Sequence, residues 1–179
     1  YYTKKLTIAA VFLAGLFLLS VIFPLFSLLK PSKIRKDFSP EQSYQKNQRY
    51  ISGTLKDLYF TGYTQTSMGR TKGYYYYTMI HGSCVIVLLS PDTSEMGLSH
   101  LKSVTITAEI EKNSRNVTTL LRHMSKDLSW NQAGMEEAFS DFTISEPEGS
   151  GGFVTFLRFL ITLAWIYGIA TVIYSGLCI

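Results

Sequence analysis

The sequence predicts an α+β membrane protein: two transmembrane helices flanking a small β-rich domain, a small barrel with one or two helices. Three observations carry that expectation. Leu6 to Leu29 runs 24 residues without one ionisable side chain, and at about 1.5 Å rise per residue such a run spans the roughly 30 Å hydrocarbon core of a bilayer. Phe153 to Ile179 is a second apolar run, interrupted by the single charge of Arg158. Between the two, unbroken apolarity gives way to the period-two alternation of strands.

In chain order, residues 1–30 form an N-terminal transmembrane anchor. A cleaved signal peptide has a shorter apolar stretch and a small-residue cleavage step, neither of which is found here. Residues 31–49 read as a basic juxtamembrane linker, with turn and polar residues and no period over Asp37 to Asn47. Residues 50–145 form the β-rich extramembrane domain. Residues 146–152, rich in Glu, Pro, Gly and Ser, form a flexible linker, and 153–179 the second transmembrane helix. There is no initiator Met and the last residue lies inside an apolar run, so the chain is expected to be a piece of a longer one.

The domain is built on the stretch KGYYYYTMIHGSCVIVLL, Lys72 to Leu89. A two-residue turn at His81-Gly82 pairs Met79 with Cys84, Tyr77 with Ile86 and Tyr75 with Leu88, because side chains alternate across a strand. Both faces are then apolar or aromatic. A sheet with one wet face alternates with polar residues, so this hairpin is expected to be covered on both sides or curled into a barrel with a partner outside. Tyr50 to Gln65 is a long strand whose inward set, Ile51, Gly53 and Leu55, changes phase near Asp57 to Leu58 and Phe60, the mark of a bulge or a coil. Leu101 to Lys112 alternates cleanly, with Val104, Ile106, Ala108 and Ile110 inward. Asn116 or Ser114 caps a helix with Val117, Leu120, Leu121, Met124 and Leu128 at helical spacing. A helical piece over Gln132 to Phe139 and a short strand at Phe142 to Ile144 complete the unit.

A long bulged first strand, a hairpin and two further strands resemble the five-stranded OB-type barrel over about Tyr50 to Ile144. The strong helix follows the fourth strand here, whereas the OB arrangement puts it after the third. An SH3-like barrel or a plain α+β sheet are the alternatives. The resemblance implies a face able to bind an oligonucleotide or sugar. The tyrosines match that and the charge does not.

The net charge of +4 divides unevenly. Seven cations, Lys4, Lys5, Lys30, Lys33, Arg35, Lys36 and Arg158, flank or enter the apolar runs, and Asp37 to Ser150 holds ten Lys and Arg against thirteen Asp and Glu. No basic patch is left to the domain, so nucleic acid is not an expected partner. Membrane lipids are: Lys30, Lys33, Arg35, Lys36 and Arg158 are the candidates for head groups. The same cations favour a cytoplasmic domain in the cell membrane by the positive-inside rule. Cys84 and Cys178 form no disulfide framework.

No metal-ligand spacing, P-loop, dinucleotide fingerprint or nucleophile elbow occurs, and no catalytic residue or cofactor is assigned. The remaining candidates are for contact. Tyr74, Tyr75, Tyr76 and Tyr77 are the partner-binding candidates. Small residues let helix backbones approach in lipid, so Ala10 and Ala14 in the first run, with Ala164, Gly168, Thr171 and Ser175 in the second, are the helix-packing candidates. The expected function is a non-enzymatic membrane accessory module that docks another membrane protein or a second copy. An OB-like module binding a glycan on its tyrosines is the first alternative, and a fragment of a membrane enzyme or transporter subunit the second.

Overall fold

A computed structural model describes residues 7–8, 10–15, 17–18, 28–35, 37–147 and 152–177. It is a mixed α/β chain with a six-stranded sheet. The elements are β1 (Ser32–Lys33), α1 (Pro40–Gln45), β2 (Tyr50–Ser67), β3 (Arg70–Ile80), β4 (Ser83–Leu89), β5 (His100–Lys112), α2 (Arg115–Asp127), α3 (Gln132–Ala138), β6 (Phe139–Ser145) and α4 (Gly152–Leu177).

The sheet order is β1-β2-β3-β4-β6-β5, and β2 pairs with β5 as well. The length of β2 makes that double pairing possible. Its first half, Tyr50 to Tyr59, runs antiparallel to β5, and its second half, from Tyr59 to Ser67, runs antiparallel to β3. The phase change expected near Asp57 is present there: Asp57 takes a left-handed φ of 51°, and Leu55 and Leu58 are both buried. A register shift against β3 follows between Phe60 and Thr64, where Gly62 sits at φ 84°.

The β3–β4 hairpin has the expected register, Met79 opposite Cys84, Tyr77 opposite Ile86 and Tyr75 opposite Leu88. Its turn places His81 at φ 51° and Gly82 at φ 82°, the two positive values that match a turn to the twist of its strands and favour glycine. β6 is longer than the three residues expected. It runs parallel to β4 and antiparallel to β5.

Two apolar layers result. The inner one gathers Ile51, Leu58, Tyr76, Val87, Ile110 and Ile144, among others, from five strands. The outer one lies between the other face of β3 and β4, through Tyr75, Ile86 and Leu88, and Val117, Leu120, Leu121 and Met124 of α2 with Met135 of α3. The helical spacing read from the sequence is the face that α2 buries, except that Leu128 falls past the helix end and is exposed.

The segment expected to be a linker, 31–49, holds two elements. β1 pairs in parallel with Ile51 and Ser52 of β2. α1 starts on Ser39, whose hydroxyl accepts from the Gln42 amide, with Pro40 at the first helical position, where its missing N–H costs nothing. Phe38 is buried and Tyr44 packs beside it on the inner layer, the Tyr44 ring lying 5.0 Å from that of Phe142.

Among the described residues one helix, Val154–Tyr174 of α4, is long and apolar enough to cross a membrane, and only 6% of its most apolar window is buried. Half of the run from Leu6 to Leu29 lies outside the described residues; residues 7–8, 10–15, 17–18 and 28–29 are helical. Lys36, the side chain of Ser175, residues 148–151 and Cys178 also lie outside them.

Candidate functional site

The four consecutive tyrosines face alternately into the two layers. Tyr76 is fully buried, and its hydroxyl donates to the carbonyls of Leu98, at 2.6 Å, and Ser94, at 3.3 Å. It thereby ties the connection between β4 and β5 to the inner layer. A buried hydroxyl needs such partners. Tyr74, half-buried, meets Phe60 at 5.8 Å on the same side. The connection is held from its other end by Glu146, buried at the end of β6, whose carboxylate accepts from the Ser90 amide at 2.8 Å and the Thr93 hydroxyl at 2.6 Å.

Tyr75 lies in the outer layer, and burial, assisted by the nearby charge of Glu111, pushes its phenol above the ordinary range. What covers this side of the hairpin is the chain's own α2 and α3. Of the four tyrosines, Tyr77 is the one that leads outward. Its ring stacks on Tyr59 at 5.6 Å, and Tyr59 stacks in turn on His100 at 4.6 Å with the planes 15° apart. His100 Nε2 lies 3.5 Å from Asp57 Oδ1. Tyr59 is 43% exposed and Met79, two residues along β3 from Tyr77, is 60% exposed. The Cys84 thiol is 3.2 Å from the Met79 sulfur, and burial pushes its pKa up, the wrong direction for a nucleophile. Tyr59, His100 and Met79 did not stand out in the sequence. The signal was the phase change at Asp57, which turns Tyr59 outward beside Tyr77.

The other end of the domain carries the residues next to α4. Arg158 of α4 places its guanidinium 6.0 Å from the centre of the Tyr50 ring, at the start of β2. Burial raises the Tyr50 phenol to about 12, with the charge and hydrogen bond of Glu109 acting the same way and Arg158 opposing. The first apolar run offers no acid to Arg158; the domain supplies its neighbours. Lys30, Lys33 and Arg35 line a cleft of about 760 Å³ together with Lys46, which caps the C-terminus of α1.

Along α4, Ile161 and Gly168 are buried, and Ala164, Trp165, Thr171 and Val172 are half-buried, a single stripe at helical spacing. A Cβ added to Gly168 would come within 2.5 Å of the tip of the Leu13 side chain, which would have to shift, so the helical residues 10–15 approach α4 closely at this small residue. Ala10 and Ala14 are exposed. Among the described residues no group of His, Cys, Asp and Glu has the arrangement to hold a metal ion. Comparison with protein-family models, with curated proteins and with solved structures finds no match.

Proposed function

We propose that the protein is a non-enzymatic membrane accessory module in which two membrane helices, 6–29 and 153–179, hold an OB-like barrel against the bilayer and present one apolar edge to another membrane protein or to a second copy. The barrel reading rests on the pairing of β2 with both β3 and β5, which makes the order β2-β3-β4-β6-β5 return to its start. The anchored reading rests on α4, apolar enough to cross a membrane and with only 6% of its most apolar window buried.

The observation that carries the docking reading is the stacked ladder of half-buried Tyr77, exposed Tyr59 and half-buried His100 next to exposed Met79. Aromatic side chains and methionine are enriched where proteins meet. The glycan alternative is less well supported by the same geometry, since a sugar stacks on an open ring face and Tyr59 has His100 on one side and Tyr77 on the other. Tyr75 and Tyr76 contribute indirectly, by fixing the strand that carries Tyr77.

The experiment replaces surface residues only. Tyr59→Ser with Met79→Ser should weaken assembly in mild detergent by more than about tenfold, the effect of removing an interface anchor, with the melting of the domain unchanged. Mass photometry of the extracted and the purified protein reads the size of the complex and separates self-association from a second component. Identical sizes for wild type and variant would refute the docking reading.

A further inference from the structure

We infer that the cleft between β1 and α1 seats the phosphate of an anionic membrane phospholipid. The inference rests on the reading of α4 as a membrane helix and names a partner for that anchored state. Arg158 is four residues beyond Val154, where the apolar span begins, and so sits about 6 Å inside the span at helical rise. Its guanidinium is 6.0 Å from the Tyr50 ring, which brings the start of β2 down to the bilayer surface, the level at which tyrosines are enriched. β1 pairs with the very next residues, Ser32 with Ile51 and Lys33 with Ser52. The cleft that β1 lines is therefore at the height of the lipid head groups.

Its chemistry fits that location. Lys30, Lys33, Arg35 and Lys46 converge on it from three directions, the chain leaving residues 28–29, β1 and the end of α1, against the single carboxylate of Asp37. The hydroxyl of Ser39 and other polar side chains line the rest. Guanidinium and ammonium groups are the donors that phosphate oxygens accept from, and basic clusters beside a membrane helix attract anionic lipid. The sequence pointed to Lys30, Lys33 and Arg35. Lys46 joins them only through the fold, because α1 turns the chain back over β1.

The test uses the full chain in nanodiscs of equal parts phosphatidylglycerol and phosphatidylcholine, with native mass spectrometry reading the lipid that stays bound. Wild type should retain phosphatidylglycerol in preference, and Lys33→Gln with Arg35→Gln and Lys46→Gln should reduce that retention by about tenfold or more. The charge-preserving set Lys33→Arg, Arg35→Lys and Lys46→Arg should keep it. So should Arg70→Gln with Lys102→Gln and Lys126→Gln, which removes the same charge away from the cleft. Equal loss in the two Gln sets would overturn the inference in favour of overall charge. Displacement of the bound lipid by soluble glycerophosphoglycerol at matched concentration would overturn it in favour of a free phosphodiester. A flotation assay after alkaline washing separates the two readings: protein that stays with vesicles but shows no lipid preference refutes this inference alone, whereas protein stripped from them refutes the membrane anchor as well.

Discussion

Tyr75 and Tyr76 are neighbours in β3, both buried, and they belong to different cores. The inner layer around Tyr76 is made by strands that pair with one another, and the hydroxyl of Tyr76 reaches across to the backbone of the β4–β5 connection. The outer layer around Tyr75 depends on α2 and α3, which enter between β5 and β6 and lie over the hairpin. One strand thus serves as the wall of a sheet interior on one side and as the floor under a helical cover on the other. Burial alone does not distinguish the two residues. What distinguishes them is whether the layer above can give way without the sheet coming apart.

The largest effect is expected inside. Tyr76→Ala should cost about 3–5 kcal/mol, in the range for truncating a buried aromatic, and should lower the denaturation midpoint of the whole domain at once. If only local opening followed, the inner layer would not be the primary one. Leu121→Ala, in the outer layer, should cost about 2 kcal/mol, the low end for a buried leucine, because a helix on the surface can settle into the gap. Hydrogen exchange should then quicken in α2 and α3 and stay slow in β2 and β5. Uniform quickening would erase the difference between the layers.

The smallest effect is a titration that reads the cover directly. Burial raises the Tyr75 phenol above its ordinary value in the folded state, so the folded protein favours the protonated form. That contribution to stability is complete below about pH 10, the value for an unfolded tyrosine, and drains away as pH climbs through the raised folded value. Loosening the cover with Leu121→Ala should bring the Tyr75 transition back toward the ordinary value. Tyr76, whose phenol is also raised chiefly by burial, should not move. Carbon shifts of the two ring Cζ atoms against pH would show it, and a joint movement would contradict the separation.

The same contrast explains how much could be read from the sequence. The β3–β4 register and the buried stripe of α2 were legible because each follows from local spacing: a turn of His81 and Gly82 fixes a hairpin, and a period near 3.6 fixes a helix face. That both faces of β3 would be apolar was legible too. What covers the outer face was not, because Val117 and Met135 lie some forty to sixty residues from Tyr75 in the chain and nothing in their spacing names the surface they meet. The linker expectation missed α1 for a related reason. Six residues are too few to show a period, and the local sign, Ser39 and Pro40 at a helix start, was outweighed by the polar composition around it. Tyr59 and His100 come together only through the pairing of β2 with β5. Arg158 meets Tyr50 across more than a hundred residues.

That last contact sets the stature of the molecule. On the proposal that α4 crosses the membrane, Tyr50 is held at the lipid surface and Tyr59 stands nine residues farther along β2, at most about 30 Å above the lipid at the rise of an extended strand. On that same proposal, the apolar edge it shares with Tyr77 and Met79 would be offered at a fixed elevation, within reach of a neighbour that rises equally far from the same bilayer and beyond the grasp of one embedded flush in it.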